Sequence, residues 1–146
     1  MTIWFDMDGT IADLYGVAGW LESLRARDVR PYTEAKGIGN LALIARLLNK
    51  VQVNGHEIGI ISWTAKNAPA EYNARIYAAK VGWLGKHFPS VNWDTILVKP
   101  YGTDKKVATG GGILFDDEKP NRDAWGAGAY EPRDIVKILK KVAEKG

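Results

Sequence analysis

The chain has 146 residues, 46% of them hydrophobic, with 20 Lys and Arg against 17 Asp and Glu; that length supports one core and leaves no room for a second domain of ordinary size, so residues 1–146 read as a single domain. The whole excess of three positive charges falls in the last stretch, "RDIVKILKKVAEK", which argues against a nucleic-acid grip, since that needs a broad basic face. The absence of cysteine excludes disulfides and thiolate zinc sites. The N-terminus has no basic leader and Asp6 interrupts the first apolar run well short of a membrane span, so a soluble, cytoplasmic protein with no membrane partner is expected.

The first predicted strand is "TIWFD". It is followed by "GVAGWLESLRAR", where Val17, Trp20, Leu21 and Leu24 recur at helical spacing, and by a turn-rich "DVRPYTEAKG". "IGNLALIARLLNKV" sets Ile38, Leu41, Ile44, Ala45, Leu48 and Val51 on one helical face, with Gly55 as a stop. "EIGIIS" is a second strand. "APAEYNARIYAAKVGWLGKHF" starts with a proline suited to a first helical turn and lines up Tyr72, Ile76, Ala79 and Trp83. "TILVK" and "GILFDD" are short buried strands with a lysine-containing helical turn between them. "GAY" is a last strand before a helix carrying Ile135, Ile138, Leu139 and Val142, with Lys140, Lys141 and Lys145 near its end, where cations complement the helix dipole. Trp83 and Trp125 are predicted to be core, and His56 and His87 are assigned no chemistry.

Strand and helix alternating in this way imply right-handed crossovers and an α/β, mainly parallel, Rossmann-like sheet with helices on both faces. Ligands of such sheets lie beyond the carboxyl ends of the strands. The polar residues there are Asp6 and Asp8 after the first strand, Ser62 and Thr64 after the second, Lys99 and Lys105 around the third, and Asp116 and Asp117 after the fourth.

Carboxylate, hydroxyl, ammonium and carboxylate groups converging from four segments suit phosphoryl chemistry. Side chains two apart in an extended segment point the same way but stand about 6.5 Å from each other. One carboxylate of the Asp6/Asp8 pair can therefore meet a metal and attack while the other stays on the leaving-group side. Mg²⁺ keeps Asp6 ionised as a nucleophile, and Asp8 can protonate a departing alkoxide and later take a proton from water. Thr10, Ser62 and Lys105 would spread over the phosphoryl oxygens. Asp116 would supply a second metal carboxylate, with Asp117 behind it. Blander roles stay open: an Asx-type turn for Asp6, Asp8 and Gly9, and helix capping for Ser62, Thr64 and Asp117.

"FDMDGT" resembles the first motif of the haloacid dehalogenase superfamily of phosphatases. "IGIIS" resembles its second motif, "DKK" its lysine motif and "LFDD" its fourth, in the family's order over residues 3 to 117. The resemblance implies a central first strand, an aspartyl-phosphate on Asp6, acid and base work at Asp8, and Mg²⁺ on Asp6, Asp116 and the main-chain carbonyl of Asp8. The lysine is Lys105 by its spacing of eleven residues from Asp116, with Lys106 and Lys99 as alternatives. Within the superfamily, the segment from the lysine to "DD" most resembles the 5'(3')-deoxyribonucleotidases and related small phage and bacterial proteins. The acid at position 8 is what phosphatases and mutases of the superfamily carry, and what its dehalogenases and ion pumps lack.

With residues 38–51 as the crossover helix, residues 11–37 remain for a cap, enough for one short helix and its flanking loops. Tyr15, Trp20 and Tyr32 make it aromatic, and Trp63 follows Ser62 beside the phosphate position. Such faces can stack a nucleobase, although Trp20 also fits a buried stripe of the cap helix. The expected activity is a Mg²⁺-dependent phosphomonoesterase for a small phosphate ester, with a nucleoside monophosphate leading. A phosphatase for nucleic-acid ends and a non-catalytic nucleotide- or partner-binding module are the alternatives.

Overall fold

The computed structural model describes residues 1–144; Lys145, predicted to end the basic helix, lies outside them. The first strand β1 (Thr2–Phe5) leads through a tight turn to β2 (Ala12–Asp13), α1 (Trp20–Arg25), α2 (Arg30–Glu34), β3 (Lys36–Gly37) and α3 (Leu41–Val53). Then follow β4 (Glu57–Trp63), α4 (Ala70–His87), β5 (Thr95–Lys99), α5 (Lys105–Thr109), β6 (Ile113–Phe115), α6 (Lys119–Trp125), β7 (Ala129–Tyr130) and α7 (Ile135–Glu144). The main sheet runs β5-β4-β1-β6-β7 with every pairing parallel, so β1 is central, as expected. Among the described residues, no helix is long and apolar enough to cross a membrane.

Two-residue alternation sends Ile3, Phe5, Ile58, Ile60 and Phe115 into one apolar layer, under α3, α7 and the end of α4. Trp4, Ile61 and Leu114 point into the other, where Trp125 of α6 covers them. Trp83 and Trp125 are both buried, as predicted. α3 starts where the Asn40 side chain accepts the Leu43 N–H at 3.1 Å, a cap worth about 1 kcal/mol. Its Leu48 is wholly buried at the centre of the larger layer, so Leu48→Ala would cost about 2–5 kcal/mol.

The segment above the site differs from the one-helix expectation. Gly19 takes a left-handed φ of 72° and provides no side-chain cap, so α1 starts only at Trp20. The turn-rich stretch after it contains a second helix, α2, with Pro31 in its first turn, where the missing N–H removes no helical bond. An antiparallel ribbon, Ala12 opposite Gly37 and Asp13 opposite Lys36, ties the two ends of this segment together. The segment then packs on α4: Leu14 and Tyr32 share a cluster with Tyr72, Ile76 and Ala79, and the Tyr72 phenol donates to the Asp28 carbonyl at 2.8 Å.

Candidate active site

Beyond Phe5 the chain turns on itself once. The N–H groups of Thr10, Ile11 and Ala12 all point at the Met7 carbonyl, each at 3.0 Å. Gly9 has φ 83°, and a Cβ there would run into the Asp117 carboxylate. The turn therefore needs glycine twice over, for its backbone and for the space. Asp6 leaves β1 with its N–H bonded to the Phe115 carbonyl at 2.9 Å, which fixes it beside the acids that end β6.

Lys105 Nζ lies 2.9 Å from Asp6 Oδ1 and 2.7 Å from Asp116 Oδ2. The Asp104 side chain caps α5 by accepting the Val107 N–H, and this sets Lys105 on the inward side of the first turn. Of the other two candidate lysines, Lys106 donates to the Trp125 carbonyl at 3.0 Å, and Lys99 lies on edge strand β5. Asp116 is fully buried; it also accepts the Glu118 N–H at 3.0 Å and the Asn121 amide at 3.2 Å.

Thr10 is oriented differently from the expected phosphoryl contact. It is fully buried, and its hydroxyl lies 3.0 Å from Asp6 Oδ2 and 3.4 Å from Asp117 Oδ1 while accepting the Asp117 N–H at 3.2 Å. The helical turn after Asp6 swings this hydroxyl back toward the acids, so it braces Asp6 against Asp117. Asp117 does not cap α6 either: the cap position is Glu118, which makes no side-chain cap bond.

The second half of the site centres on a residue that sequence reasoning left among the helix positions. Lys80, only 1% exposed, reaches from α4 to Asp8 Oδ2 at 3.0 Å, Ser62 Oγ at 2.6 Å and the Trp63 carbonyl at 2.7 Å. The signal was present: Tyr72, Ile76 and Lys80 are spaced by four on the buried stripe of α4, and an ammonium on such a stripe requires oxygen partners. Ser62 and Thr64 sit at the end of β4, where the Thr64 N–H bonds the Lys99 carbonyl at 2.8 Å.

Carboxylate oxygens of Asp6, Asp116 and Asp117 lie within 4.8 Å of one another. The Asp8 carboxylate, held by Lys80, is not in that group; the expected part of Asp8 in metal binding was its main-chain carbonyl. Crowding shows in the protonation. Burial, the charge of Asp6 and the charge of Asp116 push the Asp117 carboxyl up to about 8, and Asp116 is raised by burial and by Asp6. Burial works to lower Lys105, but the charges of Asp6 and Asp116 outweigh it and raise its pKa. Three hard oxygen donors with surplus negative charge are what Mg²⁺ prefers, so these residues fit that ion.

Above the acids opens a cavity of about 400 Å³ lined by Asp6, Asp8, Ser62 and Lys105 at its floor. Its walls are aromatic. Tyr15 and Trp20 meet edge to face with centroids 4.9 Å apart, and Trp63 and Tyr101 pair at 5.0 Å. Trp20 is half-buried and faces this cavity rather than the main core. Trp63 is held by a 3.0 Å bond from its indole N–H to the Thr103 carbonyl, and Lys105 Nζ stands 5.0 Å from its ring centroid. Burial and the Asp8 charge push the phenols of Tyr15 and Tyr32 upward, so both are neutral donors.

No protein-family model matches the chain, and no curated protein matches it. Solved structures do. A D,D-heptose 1,7-bisphosphate phosphatase from Burkholderia thailandensis aligns over 96% of each chain at 8% identity, with a TM-score of 0.56. The same phosphatase from B. bronchiseptica, complexed with magnesium and phosphate, aligns over 99% of each chain at 13% identity and a TM-score of 0.59. A structural-genomics target from Vibrio cholerae aligns over 99% of this chain and 97% of its own at 21% identity and a TM-score of 0.51. With a parallel sheet centred on β1 and Asp6, Ser62, Lys105 and Asp116 gathered at its carboxyl edge, the chain shares the Rossmann-like α/β fold of these solved phosphatases.

Proposed function

We propose that this chain is a Mg²⁺-dependent phosphomonoesterase that works through an aspartyl-phosphate on Asp6, with a nucleoside monophosphate as its leading substrate. The observation that carries this reading is the convergence of Asp6, Asp116 and Asp117 within 4.8 Å, with Lys105 between Asp6 and Asp116 and with Asp6 and Lys105 lining an aromatic cavity. The magnesium and phosphate bound by the B. bronchiseptica phosphatase support it by likeness of fold.

Asp6 and Asp116 would hold the ion, with the Asp8 main-chain carbonyl, and the close approach of Asp117 makes it a further candidate ligand. When bound, Mg²⁺ neutralises phosphoryl oxygens so that an anionic nucleophile can approach them. Asp6 attacks phosphorus and the ester P–O bond breaks; the leaving oxygen takes a proton from Asp8. Asp8 then removes a proton from water as that water attacks the acyl phosphate, releasing inorganic phosphate and restoring Asp6. The net change is ester plus water to alcohol plus phosphate. Lys105 balances negative charge at the attacked group. Ser62 accepts from Lys80, which leaves its own O–H to donate to a phosphoryl oxygen. Thr10 acts as a positioning residue for Asp6.

Residues 11–37 act as a minimal cap, and the two aromatic pairs that line the cavity suit a flat ring. The test is phosphate release from nucleoside monophosphates and sugar phosphates, with Mg²⁺ and with EDTA, using Asp6→Asn as control. Metal-dependent release from the nucleotides that vanishes in the variant is the expected result. Release from sugar phosphates alone would remove the nucleotide assignment, and no release from folded protein would remove the enzyme.

A further inference from the structure

Three cations border the same cavity away from its acidic floor: Arg25 and Arg27 at the end of α1, and Lys66 after β4. All three are exposed, and among the described residues none is within 4.0 Å of a carboxylate, whereas Lys105 at the floor, and Lys80 behind Asp8, are both ion-paired. Cations on one rim with no acidic partner give that rim a net positive field, and a pocket mouth with low-dielectric aromatic walls focuses it.

The backbone here is unusual in a way that the rest of the molecule is not. Arg27 (φ 58°) and Asn67 (φ 53°) are the two non-glycine residues with left-handed φ among those described. They meet: the Arg27 guanidinium donates to the Asn67 carbonyl at 3.2 Å, joining the segment above the site to the loop after β4. Arg75 fixes Arg27 from below through a 3.1 Å bond to its carbonyl, and both guanidiniums lie over the Tyr72 ring at 5.6 and 5.4 Å. Left-handed backbone is costly for an arginine and persists only where the surroundings hold it. Here it holds the Arg27 side chain against the Asn67 carbonyl and the Tyr72 ring, with no carboxylate ion-paired to it among the described residues. Lys66, next to Asn67, brings the third charge and lies 5.9 Å from the Tyr101 centroid.

We infer that Arg25, Arg27 and Lys66 form a second anion subsite, and that the substrate is a nucleotide carrying, beside the phosphoryl group removed at Asp6, a second phosphate across its nucleoside. This rests on the phosphomonoesterase reading and names its substrate more narrowly. The aromatic walls take the ring between the two charged ends. A free nucleoside bisphosphate and the phosphorylated end of a strand present the same chemistry to the rim.

The experiment compares kcat/KM for a nucleoside 5'-monophosphate, its 3',5'-bisphosphate and a 5'-phosphorylated dinucleotide, in the unaltered protein and in Lys66→Gln and Arg27→Gln. The unaltered protein should prefer the second-phosphate substrates by about tenfold or more, mainly through KM, as one charge-assisted contact allows. Both variants should pull that ratio toward one, and so should added salt. Lys66 is exposed, so its variant remains informative if Arg27→Gln folds poorly. Whichever of the bisphosphate and the dinucleotide gains more identifies the source. Equal kcat/KM for all three substrates, or a ratio unmoved in Lys66→Gln and by salt, overturns the subsite. Calorimetric titration of Asp6→Asn with the bisphosphate and the monophosphate separates the two readings. Tighter bisphosphate binding that Lys66→Gln abolishes would uphold the subsite even if the unaltered protein releases no phosphate. Equal binding of the two would remove the subsite and leave the phosphatase to stand on turnover.

Discussion

Two buried ammonium groups divide the site, and they are used differently. On the β1–β6 side, Lys105 lies between Asp6 and Asp116. On the β4–α4 side, Lys80 lies among Asp8, Ser62 and the Trp63 carbonyl. Lysine tolerates burial only when oxygens replace its water. Lys80 has all three N–H groups committed to the protein and none to offer a ligand. Lys105 bonds two carboxylates and keeps a third N–H for whatever enters the cavity above Trp63. In the proposed mechanism one lysine therefore belongs to the reacting charge, while the other holds Asp8 and Ser62 in register.

Removing the acid on each side tests that division most severely. Asp6→Asn takes away the proposed nucleophile, and activity should fall on the order of 10⁵-fold whatever the leaving group; residual turnover within tenfold of the unaltered protein would move the chemistry off Asp6. Asp8→Asn should cost about 10²- to 10⁴-fold on a nucleotide, whose alkoxide needs a proton. The same variant should lose far less kcat/KM on para-nitrophenyl phosphate, whose leaving group departs unaided, while its kcat still falls through the water attack that both esters share. Binding of a nucleotide should survive in Asp8→Asn, measured by calorimetry; if turnover also survives on the nucleotide, Asp8 is not the acid.

Of the two lysines, Lys105 was legible in the sequence and Lys80 was not, although its partners Asp8 and Ser62 were, and the reason is physical. Asp6 and Asp116 each follow a strand by one residue, and Lys105 opens the short helix α5 between β5 and β6, so alternation of strand and helix is enough to carry them to one edge of the sheet. Lys80 reaches the same edge from the middle of an 18-residue helix, and only its place on the stripe with Tyr72 and Ile76 marks it as buried. Thr10 lies in the expected turn, but that its hydroxyl meets Asp6 and Asp117 was not legible, because the direction of a side chain in a single helical turn depends on the hydrogen bonds to Met7 rather than on residue spacing. The second helix of the segment above the site was hidden by Pro31, which marks a turn and a helix start equally well.

Lys80→Met sharpens the comparison at a smaller magnitude. If Lys80 positions Asp8 and Ser62 without touching substrate, its loss should slow nucleotide turnover by about 10- to 100-fold through misplacement. The loss on para-nitrophenyl phosphate should be smaller. Stability should fall by about 2 kcal/mol, below the usual cost of a broken buried pair because Asp8 keeps access to water. Denaturant unfolding checks the second figure. An equal kinetic loss on both esters would place Lys80 on the phosphoryl group itself and erase the distinction between the two lysines.

The smallest effect is on the acid side and concerns pH. In metal-free protein the Asp117 carboxyl is raised from 3.8 to about 8, with Asp116 and Glu118 raised as well, chiefly by burial and then by neighbouring carboxylate charge. Between those values the folded chain binds more protons than the unfolded one, so the slope of stability against pH is negative. Stability contributed by the protonated form is complete below about 4 and is lost as pH rises through about 8. Melting temperatures in EDTA should therefore decline from pH 5 to pH 8.5, by a few degrees on the order expected for about 1 kcal/mol in a domain of this size. Mg²⁺ should oppose the decline increasingly as pH rises, because deprotonation creates the ligands it binds and binding favours the folded state. Asp117→Asn should flatten the EDTA profile, whereas Lys80→Met, on the other side of the site, should leave its slope unchanged. A melting temperature that climbs with pH in EDTA would mean that Lys105 alone neutralises the acid cluster, and that the surplus charge held to favour a divalent ion is absent.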